Sequence, residues 1–269
     1  MPELPEVETT LRGIAPHMEH RVIDAIEVRD DRLRQKIPTA VQRVVGHQVE
    51  SLRRRAKYIL IRTANGTLLI HLGMSGSLRV LTSEQEPSRH DHFDIVTGGT
   101  TIRYNDPRRF GLLLWHDSSP ESHPLLSSLG PEPLGDAFDG DYLYQKSRGR
   151  RLAVKNYIMD GRVVVGVGNI YASEALFMAG ISPVRAAGRV SLARYRALAA
   201  AIRDVLARAI RRGGTTLRDF VDSDGAPGYF AQELLVYGRA GQACFQCGHA
   251  LQQRAIGQRS SFYCKTCQS

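Results

Sequence analysis

Two groups of residues in this 269-residue chain carry chemistry by type and spacing. Cys244-Phe-Gln-Cys247 and Cys264-Lys-Thr-Cys267 are CxxC pairs separated by 16 residues. Each pair can place two thiolates on one metal ion, and the spacer is long enough for a hairpin to unite the pairs. Four thiolates in a tetrahedral array make a structural Zn²⁺ site with no open ligand position. Two disulfides are the other use of four cysteines, one that suits an oxidising compartment. The second group is the opening Met1-Pro2-Glu3-Leu4-Pro5-Glu6. Methionine before a small residue is normally removed, which would expose the secondary amine of Pro2. An α-amino group has a pKa of about 7.7–8.0, so at neutral pH much of it is an unprotonated nucleophile. Attack on a sugar C1′ would give an iminium, an electron sink for elimination, with the Glu3 carboxylate adjacent for proton transfer. The same residues also suit an ordinary helix start, where proline and acidic side chains are common.

These groups need elements to hold them. Leu4, Val7, Leu11, Ile14 and Met18 recur at three- and four-residue steps, so residues 3–18 read as an amphipathic helix. From about 21 to 116 the pattern changes to short β-branched runs at 22–28, 58–62, 67–72, 93–96 and 111–115. Asn65-Gly66 and Gly98-Gly99 are hairpin turns between such runs. Residues 118–145 hold Pro120, Pro124, Pro131 and Pro133 and read as a linker. Beyond them the period is helical: residues 169–178 follow the loop Gly166-Val167-Gly168. Ser191 caps a helix over 192–212 that stops at Gly213-Gly214. The expected fold class is α+β. An N-terminal antiparallel sandwich or barrel with an attached helix (1–117) precedes the linker, then a helical domain (146–232) and a C-terminal cysteine-bearing hairpin (233–269).

The net charge is +9, and its distribution is informative. Residues 110–145 contain no Lys or Arg but carry Asp117, Glu121, Glu132, Asp136, Asp139 and Asp141. Arg53, Arg54, Arg55, Lys57 and Arg62 crowd one segment, and Lys146, Arg148, Arg150, Arg151, Lys155 and Arg162 a second. After Glu233 there is no acidic residue, while Arg239, Arg254, Arg259 and Lys265 follow. Separate basic segments around an acidic connector fit a protein that closes on a polyanion, with binding that weakens as salt rises. Independently solvated faces would give the same composition. Hydrophobic residues make up 42%, which excludes a disordered chain, and no apolar run approaches the ~18 residues of a membrane span. The first 20 residues carry four glutamates and lack the apolar core of a secretory signal.

Taken together, the blocks MPELPEVETTLRGI, RRRAKYILI, HLGMSGSLR, RHDHFDIV, YNDPRRFG, GVGNIYASEALF, GGTTLRDFVDSDGAPGYF and the CxxC…QRSSFYC terminus resemble the bacterial formamidopyrimidine-DNA glycosylases, also DNA-(apurinic or apyrimidinic site) lyases. The likeness runs from end to end. It implies a β-sandwich, a helix–two-turn–helix domain and a zinc finger, with one structural Zn²⁺. It further implies a base-excision-repair enzyme that removes oxidised purines from double-stranded DNA and nicks the strand by β,δ-elimination. By the same resemblance Pro2 is the Schiff-base nucleophile and Glu3 protonates the sugar. Lys57 is the proton donor for β-elimination and Arg259 for δ-elimination. Asn169, His90, Arg108, Arg109, Arg150 and Lys155 are DNA-contacting positions. Met74, Arg108 and Phe110 fill the void left by an extruded nucleotide, although core packing would also explain Met74 and Phe110. A monomer in the cytoplasm is expected, without membrane contact.

Three other readings make different predictions. A sister branch of glycosylases that prefers oxidised pyrimidines usually has Gly at the fourth residue, where this chain has Leu4. A non-catalytic damage-binding protein would form no covalent complex with DNA. A metal-dependent nuclease would need a carboxylate cluster for Mg²⁺, which the sequence does not suggest.

Overall fold

The computed structural model describes residues 2–215 and 230–269. The described chain divides into two compact units, Met1–Ser127 with Arg212–Ala231 and Ser128–Arg211 with Gln232–Ser269.

The first unit opens on α1 (Leu4–Met18). Its stripe of Leu4, Val7, Leu11, Ile14 and Met18 is buried, at 0–9% exposure, as the helical spacing requires. Each such side chain contributes about 1.5–3 kcal/mol relative to exposure. Two four-stranded antiparallel sheets follow. One has the order β1 (Ala25–Val28), β6 (Asp91–Thr97), β7 (Thr100–Asn105), β5 (Ser77–Leu81). The other has the order β2 (Val49–Arg55), β3 (Tyr58–Thr63), β4 (Gly66–His71), β8 (Leu112–His116). Val, Ile, Leu and aromatic side chains of both sheets form one core with α1. Within it Phe93 stacks on Tyr104 at 4.8 Å between ring centroids. The Gly98-Gly99 turn lies where the sequence places it, both residues taking positive φ between β6 and β7. The turn expected at Asn65-Gly66 falls one residue earlier: Thr63 pairs with Gly66 across Ala64-Asn65, so Gly66 already belongs to β4.

The second unit holds α2 (Gly140–Ser147), α3 (Val154–Met159), α4 (Asn169–Met178) and α5 (Leu192–Arg211), then the hairpin β9 (Gln252–Ile256) and β10 (Arg259–Tyr263). Ser191 Oγ accepts from the Arg194 N–H at 3.4 Å, as a helix cap would. Tyr157, Tyr171, Tyr195, Phe138 and Phe177 fill the helical core. A smaller apolar cluster of Phe177, Val236, Leu251 and Phe262 surrounds Cys244 and Cys264.

The span 118–145, expected as a linker, differs from that expectation. Asp139 accepts from the Tyr142 N–H at 2.7 Å and starts α2, which packs against α5. Phe138 is fully buried, and Gly130 N–H donates to the Gly161 carbonyl at 2.8 Å. Proline content misled here because the prolines shape a packed, non-repetitive path: Pro131 itself accepts the Val165 N–H at 3.2 Å. The chain passes from the first unit to the second at Ser127–Ser128.

Candidate active site

The start of α1 fixes the proposed nucleophile and its acid. Pro2 and Glu3 are buried, Glu3 at 2% exposure. Glu3 and Glu6 form a reciprocal capping box, in which the Glu3 side chain accepts from the Glu6 N–H. Glu6 Oε2 in turn accepts from the Glu3 N–H at 2.8 Å. The other Glu6 oxygen accepts from the Thr215 N–H at 2.8 Å. One buried carboxylate thus ties the start of α1 to Thr215. Met1 and most of the GGTTLRDFVDSDGAPGYF block lie outside the described residues.

Lys57 stands in the two-residue turn between β2 and β3, next to Ala56 at φ +56°. That left-handed backbone is held by Arg54, whose guanidinium donates to the Ala56 carbonyl and to Glu8 Oε2, both at 2.9 Å. Glu8 lies on α1, so one ion pair links the turn carrying Lys57 to the helix carrying Pro2 and Glu3. At the end of β4, His71 Nδ1 accepts from the Gly73 N–H at 2.9 Å, which places its ring proton on Nε2. Burial, with the nearby Lys57 and Arg34 cations, drives the His71 pKa down to about 4, against the opposing pull of Asp106.

Met74 and Phe110 are exposed, at 37% and 43%, on two loops at the same edge of this unit. The Arg108 guanidinium lies 4.9 Å from the Phe110 ring centroid. Neither side chain is packed in the core. Arg109 adopts φ +57° and donates to Asp30 Oδ2 at 2.9 Å. Hydrogen bonds from Arg32, then the Arg109 charge, hold the Asp30 carboxyl far below its usual range. His90 is half-buried, its Nδ1 without a hydrogen-bond partner among the described residues.

In the second unit Arg259 is exposed and opens β10. It follows the tight turn Gly257-Gln258, whose φ angles are +55° and +63°. Arg150 is also exposed. Asn169 begins α4 after the Gly166–Gly168 loop, with its amide oriented on both sides. Its Oδ1 accepts from Lys155 Nζ at 2.5 Å, and its Nδ2 donates to the Ser260 carbonyl at 3.0 Å.

Lys155 corrects an expectation. Assigned to a phosphate contact, it is fully buried, and its ammonium donates to Asn169, to the Ser260 carbonyl at 3.2 Å and to Ser261 Oγ at 2.6 Å. Its charge is spent inside the protein, because a buried ammonium needs acceptors on its three protons.

The four cysteine sulfurs lie within 4.8 Å of one another. Cys244–Cys267 and Cys247–Cys264 are 3.9 Å and 3.4 Å apart. That is far longer than a disulfide, and close to the roughly 3.8 Å edge of a tetrahedron with Zn–S bonds of about 2.3 Å. The donor set fits one structural zinc, whose role would be to fix the hairpin carrying Arg259.

Sequence reasoning missed the residues that hold this arrangement. Glu6 was legible as a helix-start acid, and the Glu3-x-x-Glu6 spacing is the signal for reciprocal capping. Glu174 on α4 had no signal. It is buried, and its carboxyl accepts the N–H groups of Leu235, Val236 and Tyr237 at 2.8–2.9 Å, anchoring the chain that leads into the zinc hairpin.

Comparison with known proteins accounts for this arrangement. The family description "Formamidopyrimidine-DNA glycosylase N-terminal domain" matches residues 1–113, the corresponding H2TH domain residues 129–221, and "Zinc finger found in FPG and IleRS" residues 241–269. Relatives named formamidopyrimidine-DNA glycosylase in Xanthomonas euvesicatoria and Stutzerimonas stutzeri are each 59% identical, covering all of both chains. The crystal structure of the MutM (Fpg) protein of Thermus thermophilus is 38% identical, with a TM-score of 0.89 over 99% of this chain and 98% of that one. The Lactococcus lactis Fpg, solved in complex with DNA containing an abasic site, is 29% identical, with a TM-score of 0.91 over 99% of both chains. The chain belongs to the formamidopyrimidine-DNA glycosylase family.

Proposed function

We propose that this DNA glycosylase and lyase of base-excision repair acts on oxidised purines in double-stranded DNA, in the cytoplasm and as a monomer, through covalent catalysis by Pro2. The amine of Pro2 attacks the sugar C1′ of the damaged nucleotide, and the base departs. Glu3 protonates the sugar oxygen so that the ring opens to the iminium. Withdrawal of electrons into that iminium acidifies the adjacent carbon, and successive loss of the 3′ and 5′ phosphates follows. Lys57 serves the first elimination and Arg259 the second, each as a cation and proton donor where negative charge develops. Met74, Arg108 and Phe110 occupy the gap in the stack, an apolar chain, a cation and a ring suited to the three faces they would meet. His90, Arg109, Arg150 and Asn169 contact DNA in this reading, whereas Lys155 acts from within by holding Asn169 and the zinc hairpin. Among the described residues no helix is long and apolar enough to cross a membrane.

The observation that carries the proposal is the buried Pro2–Glu3 pair, set by the capping box at the start of α1. The test is borohydride trapping on a duplex with 8-oxoguanine opposite cytosine. A covalent complex is expected, and none when Met1 is retained and blocks the proline amine. No adduct with the free amine would refute the covalent mechanism. Preferential release of thymine glycol over 8-oxoguanine would move the chain to the pyrimidine-specific sister branch.

A further inference from the structure

Asp106 stands at the centre of the two loops whose tips are Met74 and Phe110. It is fully buried, and its carboxylate has four hydrogen-bond donors. Oδ1 accepts from Ser75 Oγ at 2.7 Å and from the Arg108 N–H at 3.2 Å. Oδ2 accepts from the Gly111 N–H at 2.8 Å and from the Tyr104 hydroxyl at 3.2 Å. Its backbone extends the same hub: its N–H donates to the His90 carbonyl at 3.0 Å, and its carbonyl accepts the Arg109 N–H at 3.3 Å. Ser75 follows Met74, and Gly111 follows Phe110. The carboxylate therefore holds the immediate neighbours of both apolar tips, and the backbone of Arg108 directly.

The two loops also touch backbone to backbone. A Cβ on Gly73, which has φ +68°, would lie 2.5 Å from the Phe110 carbonyl carbon, and one on Gly111 would lie 1.7 Å from the Tyr104 hydroxyl. No side chain could be accommodated at Gly73 or Gly111, so the relative position of the loops rests on this close contact and on the buried Asp106 carboxylate. An ionised carboxylate without these donors would be costly inside the protein, which ties the geometry of the loops to its hydrogen bonds.

We propose that Asp106 is a positioning residue that presets Met74, Arg108 and Phe110 as one rigid wedge before DNA binds. The inference rests on the reading of those three residues as the void-filling group. A preset wedge matters only where a base stack must be opened; an abasic site in a single strand presents none. In Asp106→Asn the amide nitrogen cannot accept, so either the Arg108 or the Gly111 N–H faces another donor, and the loops must shift.

The experiment compares single-turnover excision of 8-oxoguanine from duplex with borohydride trapping on an abasic site in a single-stranded oligonucleotide, using zinc-loaded protein. Asp106→Asn is expected to lose about 100-fold on the duplex, the size of effect that follows from a 1 Å misplacement, with trapping on the single strand changed less than about threefold. Ser75→Ala, which removes only the link to the Met74 loop, is expected to lose less in the same selective way. Duplex excision by both variants within about threefold of the parent, or equal losses on the two substrates, would overturn the proposal. A Met74→Ala/Phe110→Ala variant with undiminished duplex excision would overturn the wedge reading itself. Loss in that variant but not in Asp106→Asn or Ser75→Ala would overturn the role of Asp106 alone.

Discussion

Glu3 combines two duties in one side chain, as a helix cap and as the proposed acid for sugar opening. Glu3→Gln separates them, because an amide oxygen can still accept the Glu6 N–H but the side chain has no acidic proton. Thermal stability is expected to stay within a few degrees. Release of 8-oxoguanine, measured in single turnover, should fall by about 10²- to 10⁴-fold, the usual contribution of a positioned general acid. Trapping on a preformed abasic site should suffer far less, since its sugar already opens to the aldehyde. His71 gives a pH-dependent prediction. Its pKa is lowered to about 4 in the folded chain, whereas an unfolded histidine titrates near 6.5. The unfolded state therefore takes up the proton first as pH falls. His71 contributes its full stability above about pH 6.5 and loses it progressively towards pH 4. Melting temperatures across that range should fall less steeply in His71→Asn, where Oδ1 can still accept the Gly73 N–H.

At the scale of elements, hairpin turns and helix starts carry the candidate groups, and buried polar side chains fix those turns in place. The Glu8–Arg54 pair holds the β2–β3 turn against α1, with side-chain exposures of 18% and 10%. Lys155 does the same for the zinc hairpin by bonding Ser260 and Ser261, the residues after Arg259. Lys155→Met keeps the aliphatic stem but leaves Asn169 Oδ1 and Ser261 Oγ without their donor. A loss of about 2 kcal/mol or more in denaturant unfolding is expected, since each orphaned buried polar group costs about 1–3 kcal/mol. Arg259 should be displaced with the strand, so the ratio of β- to δ-elimination products on an abasic duplex should rise. An unchanged ratio would show that the hairpin keeps its place without the ammonium.

At the scale of the whole molecule, the two units are stabilised by different means. The first has a continuous apolar core between two sheets and α1. The cysteine-bearing end of the second has only a small cluster around its sulfurs, too little apolar surface to hold a hairpin unaided. Metal binding there is folding free energy. Stripping zinc with a strong chelator should melt β9 and β10 and abolish duplex binding. The β signal of the first unit should remain, which circular dichroism and a colorimetric zinc assay can follow together. Loss of binding with zinc still bound would point away from this role for the metal.

The periodicity of α1, the β-branched runs of the first unit, the Gly98-Gly99 hairpin, the other hairpin to within one residue, and the paired cysteines could be read without coordinates, because each depends on neighbours in sequence. Pro2 and Glu3 follow from the chemistry of the N-terminus, and Lys57, Met74, Phe110 and Arg259 from the family resemblance; the structure sets Met74, Phe110 and Arg259 at exposed positions on turns and strand starts. Three matters were decided only by the tertiary structure. The later part of the proline-rich span, from Ser128, packs as part of the helical unit, since burial of Phe138 is a long-range event. Lys155 turns inward, because its acceptors on Asn169, Ser260 and Ser261 are 14 to 106 residues away along the chain. Asp106 becomes a hub for the same reason: Ser75 lies 31 residues before it. The residue types determined which groups could react, carry charge or bind metal. Which cations are exposed, and which are committed to the interior, depends on acceptors that only the folded chain brings within hydrogen-bonding distance.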